Sequence, residues 1–467
     1  MDPLSQQPTL AKPNGHGAFA VPPPPPAATD PTISSFGSFE TIESIKPSWK
    51  ALCRHCDADA DFVQHIVSKR AGFLRPHVLV SSIAGGVNGM LTGRVERRPW
   101  RFWQRRRTSP GQSVSALVIP RGGVFGAESP AVCKQFVTEI WQALRRGEFD
   151  VALFGGVEKG TPLYDAVRSI PPSLSCDHGL KHEIQWKAHL PDTLDEFLHR
   201  LSSPHRSAIR RKERKLEAAF PGQIHFRTFT QPTDVEELAA AASGIARQTY
   251  QYRRGGSYRS SREGRGFLEL AARNQWLRGY VLYVGTRPIA FYISTLYQGC
   301  CRMDTTGYIA EYKDFEPGVV LFLHLVDDLC KHGVKVLDFG TGDSAFKSRF
   351  GDEKLEIATV CIFAPTVKSL LLMTAKCLRY SAERISRYAV ALAGWERSLR
   401  RTWRIFPAAI RMKQILEVIS ACLVIIFLGA WQGWLKWPEG ALLTAVLCAL
   451  TSLHIARRMV AGHPPSS

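Results

Sequence analysis

The stretch Val334–Glu353, VKVLDFGTGDSAFKSRFGDE, gathers two carboxylates and two cations around a turn that carries Gly340 and Gly342. Asp338 and Asp343 flank that turn, and Lys347 and Arg349 follow it. A carboxylate at a turn can accept a proton or hold a donor group of an acceptor molecule. Lysine and arginine one helical turn on suit a phosphate or a carboxylate. Asp338 and Gly340 are also ordinary turn residues, because Asp caps its own backbone and Gly takes a left-handed conformation without cost. The spacing therefore admits several chemistries, and the elements before and after it must decide among them.

The chain is 467 residues long with a formal net charge of +19, a balance that favours anionic partners such as phosphates, nucleic acid or an anionic membrane surface. Eleven cysteines are scattered without framework spacing, and the polar start MDPLSQQPTL lacks the apolar core of a signal peptide, so the thiols are read as reduced. Cys53 and Cys56 form a C-x-x-C with His55 between them and His65 nearby; no second ligand pair follows, and no metal is expected there. The segment around them, SWKALCRHCDADADFVQHIVSKR, reads as one helix.

Six segments are expected. Residues 1–38 form a Pro-rich arm too poor in apolar surface to order. Residues 39–190 and 191–365 each carry the order strand, strand, helix, strand, as two lobes with the same architecture and little residue identity between them. In the second lobe GYVLYVGTRPIAFYISTLYQGCCRMDTTGYI holds three strands, and PGVVLFLHLVDDLCKHGV is a helix opened by Pro317 and Gly318. Residues 366–413 are a basic amphipathic helical segment, with eleven lysines and arginines against two glutamates. Residues 414–457 hold two uncharged apolar runs, 418–435 and 441–456, joined by Lys436-Trp437-Pro438-Glu439; with basic residues at both outer ends they read as a helical membrane hairpin with cytosolic termini. Residues 458–467 are a tail.

This order settles the opening stretch. Asp338-Phe339-Gly340 looks like a kinase triplet, but the Gly-rich loop, strand lysine and catalytic loop that a kinase needs upstream are not there in order. A strand followed by Asp and Gly also resembles the nucleotide turn of a methyltransferase, but that turn opens its fold, and after Pro365 only basic helices and apolar runs remain. The run Tyr250–Glu353 instead resembles the acyltransferase domain of the GNAT superfamily, in the CelD/BcsL (BioF2-like) group related to FemAB peptidyltransferases. The residues that carry the resemblance are TYQYR at 249–253, GYVLYVGTRPIAFYIS at 279–294, Tyr308, the 317–343 run and AFKSRFG at 345–351. Residues 40–190 look like the degenerate first lobe of that group.

The resemblance implies an α+β fold: two tandem GNAT-like lobes with mixed, mostly antiparallel sheets, plus the C-terminal membrane hairpin. It implies acyl transfer from acetyl-CoA or another acyl-CoA to an amine or hydroxyl of a cell-envelope or exopolysaccharide intermediate, a small molecule or a lipid-linked glycan. The donor arm would lie between two parted strands, with its pyrophosphate on the helix start at Pro317, Gly318 and Val319. Asp343, Lys347 and Tyr308 would serve catalysis, and Arg253, Asp338 and Arg349 the substrate. The lobes would stand on the cytosolic side of the cytoplasmic membrane. Two alternatives stay open. One is an aminoacyl or peptidyl transferase using charged tRNA, for which the basic run RSAIRRKERKLE (206–217) could grip phosphates; no RNA-binding motif accompanies it, so nucleic acid is otherwise not expected. The other is a non-catalytic membrane scaffold with the same fold.

Overall fold

The computed structural model describes residues 31–99, 113–126, 129–249 and 258–392, with side chains to 384. Its strands are β1 (Thr32–Phe36), β2 (Phe73–Ile83), β3 (Gly86–Pro99), β4 (Ser113–Ile119), β5 (Val124–Phe125), β6 (Val151–Glu158), β7 (His182–His189), β8 (Ile224–Phe229), β9 (Leu277–Val284), β10 (Arg287–Tyr297), β11 (Cys300–Tyr308), β12 (Val336–Thr341) and β13 (Glu353–Phe363). All belong to one continuous sheet, in the order β1-β2-β3-β4-β6-β13-β7-β12-β11-β10-β9-β8, with β5 on β3. Most pairs are antiparallel. Two are parallel, β4 with β6 and β11 with β12, and each is bridged by a helix: Pro130–Arg145 in the first lobe and Pro317–Lys331 in the second. The kinship of the two lobes read from the sequence is thus visible as a repeated parallel pair inside a mainly antiparallel sheet.

The boundary at 190 needs correction. β7 lies between β13 and β12 and so is a strand of the second lobe, whereas β13 pairs with β6 and completes the first. The cores record the exchange. Val360 and Ile362 of β13 are buried with Leu117 and Phe154, while Ala188 of β7 is buried with Leu337 and Phe339. Each lobe would otherwise end on an open parallel edge with unpaired N–H and C=O groups. The arm is also shorter than expected: residues 32–36 pair antiparallel with β2. The 48–70 stretch is not one helix. Helices Lys46–Leu52 and Ala60–His65 are separated by extended Cys53, and Asp59 caps the second by accepting the N–H groups of Asp61 and Phe62.

The helix Pro317–Lys331 is almost wholly apolar and packs on β9 and β10; Phe322 at its centre anchors the following turn. In the short helix Ala345–Phe350, Phe346 and Phe350 stand one turn apart, and their rings lie 5.0 and 4.7 Å from that of Phe322. Such ring pairs add about 0.5–1.5 kcal/mol each beyond burial. This clamp fixes the helix that carries Lys347 and Arg349. Residues 393–467, and with them the hairpin expected at 414–457, lie outside the described residues.

Candidate active site

The parallel pair β11–β12 holds together for three residues only, Cys300 to Arg302 against Val336 to Asp338. Beyond that point the strands part. β11 continues to Tyr308 along β10, while β12 turns toward β7. Gly340 (φ +68°) and Gly342 (φ +112°) make that turn, conformations that side-chain-bearing residues adopt at a cost. Asp338 pins it. Its Oδ1 accepts the Gly340 N–H at 2.7 Å, its Oδ2 accepts from Gln185 Nε2 at 2.6 Å, and Arg121 Nη1 stands 3.8 Å away. Buried and engaged on both oxygens, Asp338 shapes the turn at the mouth of the cleft.

Lys347 is brought back over the same turn, its Nζ donating to Thr341 O at 2.6 Å and Gly340 O at 3.1 Å. Burial lowers its pKa, opposed by the Asp338 carboxylate and reinforced by Arg121. The ammonium thus holds the backbone at the mouth of the parting strands. Asp343 lies apart: it is exposed and accepts from Trp186 Nε1 at 3.0 Å, and among the described residues no hydrogen bond or ion pair joins it to Lys347.

At the other side of the gap, Tyr308 ends β11 and is 44% exposed. Its ring flanks Gly318, where an added Cβ would sit 3.6 Å from Tyr308 Cδ1. No side chain caps the helix start at Pro317, and Glu316 before it is held in the left-handed region (φ +48°) with its carboxylate 2.6 Å from Lys212 Nζ. Gly318 O accepts the Tyr292 hydroxyl, fixing the helix start on β10. Pro317 and Val319 are buried; Pro317 has no N–H, and the Val319 N–H donates to Glu316 O at 2.9 Å, so the Gly318 N–H is the donor this helix start can offer a ligand. The expected Pro317, Gly318, Val319 and Tyr308 are therefore together, whereas Asp338 and Lys347 form a second group across the gap. Arg253 lies outside the described residues.

Arg349 is exposed and stands in neither group. With Arg200, Ser202, His205 and Ser348 it lines an open cleft of about 410 Å³. A second cleft, of about 340 Å³, lies in the first lobe where β4 and β6 part, walled by Gly122, Gly123, Gly155 and Gly156 and by Ile119, Phe154 and Leu163. Arg121 closes it toward Asp338: its side chain lies over Gly156, where a Cβ would come within 2.7 Å of Arg121 Nε.

A charged cluster that the sequence reading did not foresee adjoins Asp338. Arg302 in β11 donates to Asp57 Oδ2 at 2.7 Å and to Asp304 Oδ1 at 2.6 Å, and its Nη1 lies 3.4 Å from His55 Nε2. Burial alone would raise the Asp57 carboxyl, but Arg302 and His55 hold it below its ordinary value. Asp304 goes the other way, because burial outweighs Arg302. Burial pushes His55 down to about 4, so its imidazole is neutral at neutral pH. His55, Cys56 and Asp57 offer ligand atoms within 4.8 Å of one another. A cation does not fit them: Arg302 already occupies the Asp57 carboxylate, and burial keeps the Cys56 thiol protonated. The one sequence signal for this cluster was the unexplained His between two cysteines.

Residues 203–348 match the family model of the acetyltransferase (GNAT) domain. Among solved structures the chain is similar to FemX, at 10% identity and a TM-score of 0.50, over 70% of this chain and 96% of that one. It is also similar to a tandem GNAT protein from the clavulanic acid biosynthesis pathway, at 12% identity and a TM-score of 0.41, over 72% of this chain and 99% of that one. No curated protein matches the chain. The parting parallel strands thus belong to an acyltransferase domain of the GNAT type in a mixed α+β fold.

Proposed function

We propose that the protein transfers an acyl group from an acyl-CoA to an amine or hydroxyl of a cell-envelope or exopolysaccharide intermediate. The observation that carries this reading is the gap between β11 and β12 beyond Arg302 and Asp338, beside an uncapped helix start at Pro317-Gly318 and within the matched residues. The free strand edge from Met303 to Tyr308 can pair with the amide groups of a pantetheine arm. The helix start can take the pyrophosphate through the Gly318 N–H and the helix dipole. The nucleotide end then runs toward Arg349, His205 and Arg200, whose cleft suits a phosphate. Tyr308 is the group placed to return a proton to the leaving thiolate. Lys347 positions the turn opposite it and contributes positive charge near the developing oxyanion. The first-lobe cleft, with Arg121 between its Gly156 wall and Asp338, is the entry we assign to the acceptor.

The test is calorimetric titration of the full chain in detergent with acetyl-CoA and longer acyl-CoAs, followed by acyl release in the presence of envelope glycan precursors. Binding that is lost in Gly318→Leu, and turnover that falls in Lys347→Ala with binding kept, supports the reading. A charged-tRNA donor is the rival that the exposed Arg211 and Arg214 of the 203–219 helix favour. It takes over if free CoA fails to bind and ribonuclease abolishes activity. A scaffold without catalysis takes over if Asp343→Asn and Lys347→Ala leave cellular function intact.

A further inference from the structure

Of the nine large apolar side chains exposed among the described residues, four stand on one helix and a fifth beside it, whereas Leu74, Ile83, Phe226 and Tyr308 stand on strands. Val367 (77% exposed), Leu371 (65%), Leu378 (45%) and Leu370 (40%) stand on one helix, Val367–Leu392. Leu174 (73%) stands on the turn Ser173–Ser175 that packs against it. Val367, Leu371 and Leu378 follow one another at offsets of four and seven, so they form a stripe along one face. The opposite face is bound to the first lobe. Leu372 and Met373 are buried against Val114, Val151 and Phe363. Ser369 Oγ donates to Asp150 O at 2.9 Å, and Lys368 pairs with Asp150 at 2.7 Å. Lys376 is buried in contact with Asp177, whose Oδ1 and Oδ2 also accept the N–H groups of Gly179 and Cys361.

An exposed apolar stripe on a helix welded to the body needs an occupant, and the chain itself indicates which. The helix leads directly into residues 393–467, which hold the two uncharged apolar runs, and residues 366–413 carry eleven basic against two acidic side chains. That combination fits an anionic bilayer surface better than a protein groove. We propose that the Val367–Leu392 helix lies on an anionic membrane surface with its Val367-Leu371-Leu378 stripe in the acyl boundary, and that its buried contacts fix the lobes in one orientation to the bilayer. The helix is coupled to the sheet through Asp177 and Asp150: besides contacting Lys376 and Ser369, they accept the backbone N–H groups of Cys361 in β13 and Ser115 in β4. This does not rest on the acyl-transfer reading.

The experiment places a photo-crosslinking amino acid at position 371, 378 or 134 of the full chain, bound to vesicles of phosphatidylcholine with phosphatidylglycerol or of phosphatidylcholine alone. Lys134 is exposed on the Pro130–Arg145 helix. That helix packs against Ala152 and Ile362, whereas the Val367–Leu392 helix packs against Val151, Cys361 and Phe363, so the two lie on opposite faces of the sheet. Lipid adducts at 371 and 378, absent at 134 and reduced without phosphatidylglycerol, are expected. Vesicle-bound chain with no adduct at 371, or with equal adduct at 134, overturns the proposal. Equal yields in both vesicle types would remove the anionic lipid from it. Because the readout is a lipid adduct and not turnover, an inactive enzyme leaves it standing.

Discussion

Replacing Arg302 by Leu tests the charged cluster at the lobe junction. Arg302 serves two carboxylates, Asp57 at 2.7 Å and Asp304 at 2.6 Å, with side-chain exposures of 18% for Arg302, 35% for Asp57 and 18% for Asp304. Removing one partner of a buried pair costs roughly 3–5 kcal/mol, because the other charge stays behind uncompensated. Asp57 is partly solvated, so the lower end applies, about 3 kcal/mol. For one cooperative unit of more than 300 residues that is a fall of roughly 4 °C in the unfolding midpoint. The pH dependence has a definite sign. Asp57 is held below its ordinary value in the folded chain, so its contribution is present at neutral pH and disappears as pH falls through that depressed value. Without Arg302 both carboxyls rise and accept protons early. The deficit is therefore largest at neutral pH and closes toward the ordinary carboxylate range, about 4. Arg302→Lys should fall between, since an ammonium cannot fork to both acids. Thermal unfolding of the full chain in detergent, followed by tryptophan fluorescence, reads this directly. A midpoint at neutral pH equal to wild type, or a deficit that persists unchanged in acid, would refute the ion-pair account.

Two other outcomes follow from the geometry. Gly318→Leu should leave the unfolding midpoint unchanged, because its Cβ meets Tyr308 at an ordinary 3.6 Å, yet weaken acyl-CoA by more than about tenfold through filling the cleft; calorimetry with an unaltered affinity would contradict this. His55 and His77 are pushed by burial to about 4, and the His77 Nε2 has no hydrogen-bond partner, so neither protonates readily in the folded chain. Stability should therefore decline as pH falls from the ordinary histidine value of about 6.5 toward 4, and His77→Leu should flatten part of that decline; a wild-type midpoint constant over the window would count against it.

What the sequence discloses and what it hides divide along contact distance. The Gly285–Pro288 turn, the continuous apolar runs of β9 and β10 and the Pro317-Gly318 start of the apolar helix are local signals, and each marks its element. Tyr308 beside Gly318 follows from that local order. The partners that decide the roles of Asp338, Lys347 and Arg302 are remote. Gln185 reaches Asp338 across 153 positions, and Arg302 reaches Asp57 across 245. No periodicity encodes such pairs. Asp338 was legible as a turn residue and illegible as the partner of Gln185. Arg121 was hidden differently. It falls in Pro120-Arg121-Gly122-Gly123, just past the end of β4 at Ile119, where the glycines open a cleft.

The exchanged strands make a last prediction that a chain of two independent lobes would not. Cutting the chain after Leu190 leaves the first fragment without β13, so β6 loses the partner that covers it from Val151 to Glu158. The second fragment lacks β7, so Asp338 loses Gln185, and Gly342 loses the Ile184 carbonyl it donates to at 2.7 Å. Each fragment then exposes an apolar strand edge of the kind that aggregates. Expressed singly, both fragments should be insoluble or protease-sensitive; expressed together, they should assemble, because the two missing strands are each other's complement. Co-purification of the pair, with resistance to limited proteolysis that neither fragment has alone, is the expected result. Soluble, protease-resistant single fragments would mean that each lobe closes without the other, and that Asp338, deprived of Gln185, does not need it to hold the turn at the mouth of the cleft.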